Sequence, residues 1–236
     1  MRFLRAVAPV VLPCLLVACG PAPSDAPARG PGAATGREAP HGDGTAVLEW
    51  LLEGNARFAD GRAEHPHEGL RRRSGLTDHQ DPSAIVLGCA DSRVPPELVF
   101  DVGLGDVFVI RVAGNVVLDD EVGSIEYAVE HLGVPLVLVL GHEGCGAVTA
   151  ALGEMDDEAP ELSRLLRAVR PALREVDPTL PFDERVHAGV EANVRHAVER
   201  LRGIIERERE THALPPGLRI AGGVYELDSG RVRLLE

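Results

Sequence analysis

The chain has 236 residues, 44% hydrophobic and 26% charged, which is enough for one sizeable α/β core of ordinary globular composition. With 24 Lys and Arg against 37 Asp and Glu, the formal net charge is −13. That balance argues against a nucleic-acid partner, which would need clustered positive charge, and it names no substrate, because net negative charge also serves solubility.

Residues 1–18 read as an export signal. Arg2 and Arg5 give a positive start, an apolar run follows that is interrupted by Pro9 and Pro13, and small residues close it. The run is too short and too proline-broken to be expected as a bilayer-spanning helix. Leu16-Val17-Ala18-Cys19 resembles the lipobox of bacterial lipoproteins, which implies lipidation of Cys19; Cys14, preceded by proline, fits that pattern badly. The alternative is an ordinary cleaved signal with an incidental cysteine. Residues 19–44 are rich in Pro, Gly and Ala, so they cannot bury enough surface to offset ordering entropy and should form a flexible tether. The expected organisation is a folded domain over 45–236, exported to the bacterial cell envelope or periplasm and touching the membrane only through its anchor.

Thr45 can cap a helix in which Val47, Leu48, Leu51, Leu52 and Phe58 recur at helical spacing, giving an N-terminal packing helix. Apolar runs at 83–89, 106–112 and 135–141 read as strands, the third apolar on both faces, as in a buried parallel sheet. Between the second and third, residues 121–132 carry Val122, Ile125, Val129 and Leu132 at helical spacing, and another helix should begin near Gly144. A long charged helix is expected over 184–210, then a strand, the tight turn Asp228-Ser229-Gly230, and a closing strand. The fold class is α/β, with a mainly parallel central sheet flanked by helices.

In such sheets ligands gather beyond the carboxyl ends of the strands. Cys89 ends the first core strand, and His142 and Cys145 directly follow the third. Two cysteines in a domain of this size form no disulfide framework, leaving a single bridge, inert buried thiols or metal ligation. Two thiolates and an imidazole converging at one sheet edge suit zinc, whose filled d shell accepts tetrahedral S and N donors, with one position left open.

The blocks Cys89-Ala-Asp-Ser-Arg-Val-Pro-Pro-Glu97, Arg111-Val-Ala-Gly-Asn115 and Gly141-His-Glu-Gly-Cys-Gly-Ala-Val148 resemble the signature blocks of β-class carbonic anhydrases. The resemblance extends more loosely from Glu53-Gly-Asn-Ala-Arg-Phe58 to Gly222-Gly-Val-Tyr225. It implies a zinc enzyme that interconverts carbon dioxide and bicarbonate, with Cys89, His142 and Cys145 as ligands and Asp91 and Arg93 as a catalytic carboxylate and guanidinium pair. Zinc lowers the pKa of bound water enough to supply hydroxide for attack on CO2. Because two thiolates cancel the metal's charge, that pKa should exceed that of a tris-histidine site, with activity rising into mildly alkaline pH.

By matched position, Gln80 corresponds to a substrate-bonding glutamine, and Phe108, Ala113 and Tyr127 to an apolar pocket wall. Ala113 is smaller than the residue many relatives carry, which implies a wider pocket. The Gly146 amide, at a helix start, could meet a bicarbonate oxygen. Some members bind inhibitory bicarbonate at a site marked by Trp three residues before the first cysteine; Val86 stands there, so an open zinc site without that regulation is expected. The resemblance also implies a homodimer or tetramer, with Gln80 or Tyr127 facing a neighbour's zinc. The other readings are a hydrolase of carbonyl sulfide or carbon disulfide on this fold, and a non-catalytic zinc or thiol envelope protein. The remaining histidines, and the run Glu206-Arg-Glu-Arg-Glu210, are expected at the surface or in packing.

Overall fold

The structure, a computed structural model, describes residues 38–153 and 158–235. The expected signal over 1–18, Cys19 and the expected tether up to residue 37 lie outside the described residues. The domain opens with α1 (Gly44–Ala59), the short α2 (Leu70–Gly75), strand β1 (Ala84–Gly88) and the single turn α3 (Pro96–Val99). Next come β2 (Val107–Arg111), a 3₁₀ turn (Ala113–Asn115), α4 (Asp119–His131), β3 (Leu136–His142), α5 (Gly146–Leu152) and α6 (Pro160–Val169). A second 3₁₀ turn (Ala172–Glu175), α7 (Phe182–Glu208), β4 (Arg219–Tyr225) and β5 (Val232–Leu235) complete it.

The strands form one sheet in the order β2-β1-β3-β4-β5, parallel except for the last, which folds back antiparallel on β4. β1 and β3 are buried along their whole length, as runs apolar on both faces require. Their side chains alternate between two cores. Ile85, Leu87, Val137 and Val139 pack with Ile125 and Val129 of α4 and Val190 and Val194 of α7. Ala84, Val86, Leu136, Leu138 and Leu140 pack with Val47, Leu48, Trp50 and Leu51 of α1. β2 is one of the two edge strands, only partly buried.

The α/β class, the three parallel core strands and the closing hairpin stand as expected, and the departures are local. α1 is capped by Asp43, whose side chain accepts from the Thr45 N–H; Thr45 is its second residue, not its cap. α4 begins at Asp119, earlier than the apolar spacing indicates, because three acidic residues favour the first turn and Glu121 accepts the Leu118 N–H at 3.1 Å. α5 begins at Gly146 because Gly144, at φ 59, is left-handed and belongs to the loop. The expectation covered none of α2, α3, α6 or the two 3₁₀ turns. In α6, Pro160 at the start and buried Ser163, Leu166 and Val169 on one face supply the missing signal.

The long helix α7 lies directly against the sheet. A Cβ on Gly141 of β3 would meet Val194 Cγ2 at 2.5 Å, and one on Gly222 of β4 would meet Val194 Cγ1 at 2.7 Å. The missing side chains let the helix backbone approach, and Val190, Val194, Ala197, Val198 and Leu201 fill the gap. The buried carboxylate of Asp101 ties the chain after α1 to the end of α3. It accepts from Arg57 Nε at 2.6 Å and from the backbone N–H groups of Glu64 and His65, each at 2.9 Å.

Candidate metal centre

β1 and β3 are adjacent and parallel with Gly88 opposite Leu140, so Cys89 and His142 emerge at the same carboxyl edge of the sheet. Cys145 caps the start of α5, three residues beyond His142. All three side chains are buried, and their donor atoms lie within 4.8 Å of one another. Both cysteines are free thiols. The structure thus brings together the three residues expected to meet.

The donor set fits a zinc ion on two observations. His142 Nδ1 lies 2.9 Å from the carbonyl oxygen of Glu143, which can only accept, so the proton sits on Nδ1 and Nε2 keeps its lone pair. Nε2 is buried and has no hydrogen-bond partner. An orphaned imidazole nitrogen beside two thiols costs stability unless a ligand meets it. The thiols are also electronically poised. The Cys145 S–H bonded to Cys89 draws the Cys89 pKa down against burial, while the same bond, reinforced by burial, holds the Cys145 proton in place and pushes that pKa up.

Asp91 and Arg93 sit beside this group as a closed pair. Arg93 donates its backbone N–H and Nε to Asp91 Oδ1, both at 2.9 Å, and Nη2 to Oδ2 at 2.7 Å. The backbone bond makes Asp91-Ser92-Arg93 an Asx turn, so the sequence itself folds the guanidinium onto the carboxylate. These bonds, outweighing burial, hold the Asp91 carboxyl well below the usual carboxylate range. Asp91 Oδ2 stands 3.8 Å from His142 Nε2, and Asp91 is not one of the three converging residues.

Two residues whose part was not foreseen complete the setting. Arg111, at the end of β2, donates Nε to the Cys89 carbonyl at 2.9 Å and Nη2 to the Asp91 carbonyl at 2.6 Å, strapping the loop that carries both. Its place in the Arg-Val-Ala-Gly-Asn block at a strand's carboxyl end was the available signal. The Gly114 N–H donates to Cys89 Sγ at 3.3 Å.

The five expected substrate residues divide into two groups. Ala113 lies in the turn that carries Gly114, and Gly146 follows Cys145 with open space where a side chain would be. Gln80 is exposed ahead of β1, at the other end of that strand from Cys89. Phe108 pairs with Ile85 near the start of β2, and its ring lies 6.3 Å from that of Tyr127, which is 47% exposed. At roughly 3.3 Å per residue, Ile85 is about 13 Å along the strand from Cys89. Among the histidines expected at the surface, His212 Nδ1 lies 2.9 Å from Glu208 and 4.0 Å from Glu130, an exposed ion-pair cluster between α7 and α4.

A family model described as carbonic anhydrase matches residues 84–232, the span from β1 into β5. The chain belongs to the β-carbonic anhydrase family. It is 40% identical over 205 residues to a carbonic anhydrase of Mycolicibacterium smegmatis, covering 83% of this chain and 95% of that protein. With carbonic anhydrase 2 of Mycobacterium tuberculosis it shares 41% over 199 residues, 83% of this chain and 94% of that one. A β-carbonic anhydrase of Aspergillus fumigatus is similar at a TM-score of 0.62 and 32% identity, over 81% of this chain and 90% of that one. One of two tetrameric β-carbonic anhydrases of Sordaria macrospora is similar at a TM-score of 0.59 and 26% identity, over 80% and 96%. The β-carbonic anhydrase relatives match almost end to end, and the family match covers the strand ends that carry Cys89 and His142 as well as Cys145.

Proposed function

We propose that this chain catalyses the reversible hydration of carbon dioxide to bicarbonate and a proton, with zinc held by Cys89, His142 and Cys145. The observation that carries it is the buried, unpartnered His142 Nε2 within 4.8 Å of two free thiols, beside a carboxylate locked by an arginine. Zinc bound there supplies a Lewis acid that brings the ionisation of water near neutral pH. The chain's residues do the rest. Asp91, kept ionised by Arg93, accepts a hydrogen bond from the attacking oxygen and orients it toward CO2. Because Arg93 engages both carboxylate oxygens, Asp91 is drawn away from a ligand's role, which supports an open resting site. Arg111 holds the backbone on either side of Ala90, and the Glu143 carbonyl fixes the imidazole tautomer.

Ala113 and Gly146 border the reaction space, with the Gly146 amide available to a bicarbonate oxygen. Gln80, Phe108 and Tyr127 serve the centre of a second copy, which makes a homodimer the smallest active unit and a tetramer its doubling; their distance from Cys89 within one chain supports this. The chain is exported and anchored by lipid at Cys19 in the cell envelope, a reading supported by the lipobox-like Leu-Val-Ala-Cys and the tether composition.

Stopped-flow CO2 hydration by the purified zinc-loaded protein tests the reaction, with carbonyl sulfide and carbon disulfide as competing substrates. Activity on CO2 that disappears in Cys145→Ser supports it; activity confined to the sulfur compounds, or none, sinks it. Mass spectrometry of the mature amino terminus tests the anchor, and a cleaved, unacylated start would refute it. Light scattering of an unlipidated form tests the assembly, where an active monomer would contradict the shared site.

A further inference from the structure

We propose that Asn193 is a positioning residue for the metal-binding sulfur of Cys89, acting from α7 through the backbone of Gly114. This rests on Cys89, His142 and Cys145 being the zinc ligands. Asn193 is 3% exposed in the middle of a 27-residue helix whose other buried residues are all apolar or glycine. A buried amide there must be hydrogen-bonded, and its Nδ2 donates to the Gly114 carbonyl at 2.8 Å, across 79 positions of chain. The N–H of that same glycine donates to Cys89 Sγ. One residue therefore stands between the helix and the sulfur, accepting from one and donating to the other.

The turn that carries Gly114 does not hold this orientation by local preference. Gly114 at φ 72 and Asn115 at φ 42 are two successive left-handed residues, and such a conformation persists only where its surroundings over-determine it. The Val112 N–H bonded to Gly88 and the Asn115 N–H bonded to Val112 fix the entry to the turn. The bond from Asn193 holds the Gly114 carbonyl. A side chain on Gly114 would press on Ala147 and Val169, at 3.1 and 3.3 Å, so the turn is also packed against the start of α5 and the end of α6. Asn193 inherits a fixed position because the next residue, Val194, sits over Gly141 and Gly222. An N–H···S bond orients a thiolate and shields its charge, so releasing the Gly114 carbonyl loosens the sulfur and shortens the lifetime of the bound ion.

The test compares zinc-loaded full-length protein with Asn193→Leu, which keeps the shape and removes the donor. Two readouts are zinc release into a chromophoric chelator and the sulfur-to-metal charge-transfer band of the cobalt-substituted protein. Release at least ~10-fold faster, with a displaced or weakened band, is expected. Val198→Ala is the control; Val198 packs over Gly222 further along α7, and its truncation should lower thermal stability while leaving release rate and band as in the parent. If Asn193→Leu does not accumulate folded, Asn193→Ser is measured in its place with the same expectation. Unchanged release and band in the Asn193 variant, or equal acceleration by Val198→Ala, would overturn the proposal. A parent protein that retains no zinc would instead overturn the ligand assignment beneath it.

Discussion

Arg93 closes on Asp91, two residues earlier in the chain, through three donors: a backbone N–H, Nε and Nη2, at 2.9, 2.9 and 2.7 Å from the carboxylate oxygens. The carboxylate is thereby ionised and immobilised before any substrate arrives. Asp91→Asn keeps the shape but loses the charge and invites the amide to turn. It is expected to retain one zinc per chain and to lose CO2 hydration by ~10²-fold or more. Arg93→Ala, which frees the carboxylate, is expected to lose ~10-fold or more. Stopped-flow rates alongside zinc analysis check both; parent-level rates in zinc-loaded Asp91→Asn would remove the aspartate from the chemistry.

Zinc content itself follows from the three ligands. Protein stripped with a strong chelator and reloaded should recover one zinc per chain and a higher melting temperature, since an ion that binds only the folded form stabilises it. Cys145→Ser should hold far less than one equivalent after the same treatment. Elemental analysis after gel filtration decides it.

Asp101 contributes to stability against acid. Burial pushes its carboxyl upward, but the Arg57 guanidinium and the Glu64 and His65 N–H groups outweigh it, so its pKa lies below the ordinary 3.8. The native state therefore binds fewer protons here than the unfolded chain. The stabilisation is complete above the ordinary value and disappears as pH falls through the lowered one. Asp101→Asn should cost ~1.5–3 kcal/mol at neutral pH and show a flatter loss of stability on acidification, read from urea midpoints across the acid range.

Gly222→Ala tests the approach of α7 to the sheet. The added methyl would lie 2.7 Å from Val194 Cγ1 and 3.0 Å from Val198 Cγ2, so helix or strand must shift. A cost of ~1–3 kcal/mol is expected by denaturant unfolding. Since Val194 adjoins Asn193, some loss of metal retention should accompany it. A neutral substitution would mean that the helix moves away without strain.

Much of this was legible in the residues because strands buried on both faces announce themselves as unbroken apolar runs. Leu136 to Leu140 could be little else, and a cysteine or histidine just past such a run lands at the sheet's carboxyl edge. The Asp91–Arg93 pair was implied by the family resemblance, and the structure adds that a local Asx turn closes it. The helix starts at Asp43 and Gly146 were less legible, because capping depends on which side chain turns back to the backbone. α6 escaped notice, its short apolar face lying amid charge.

The order of residues along the chain determined the core strands and the place of Cys89, His142 and Cys145 just beyond their ends, which follows from periodicity, while the pairing of Asp91 with Arg93 came from the family resemblance. Only the folded structure decided that Arg111 straps the Cys89 loop, that Asn193 reaches Gly114, and that Gln80, Phe108 and Tyr127 stand away from the Cys89 of their own chain. Hydrogen bonds spanning 22 or 79 positions leave no periodic trace, because they depend on where helices and turns are brought by packing of the cores between them.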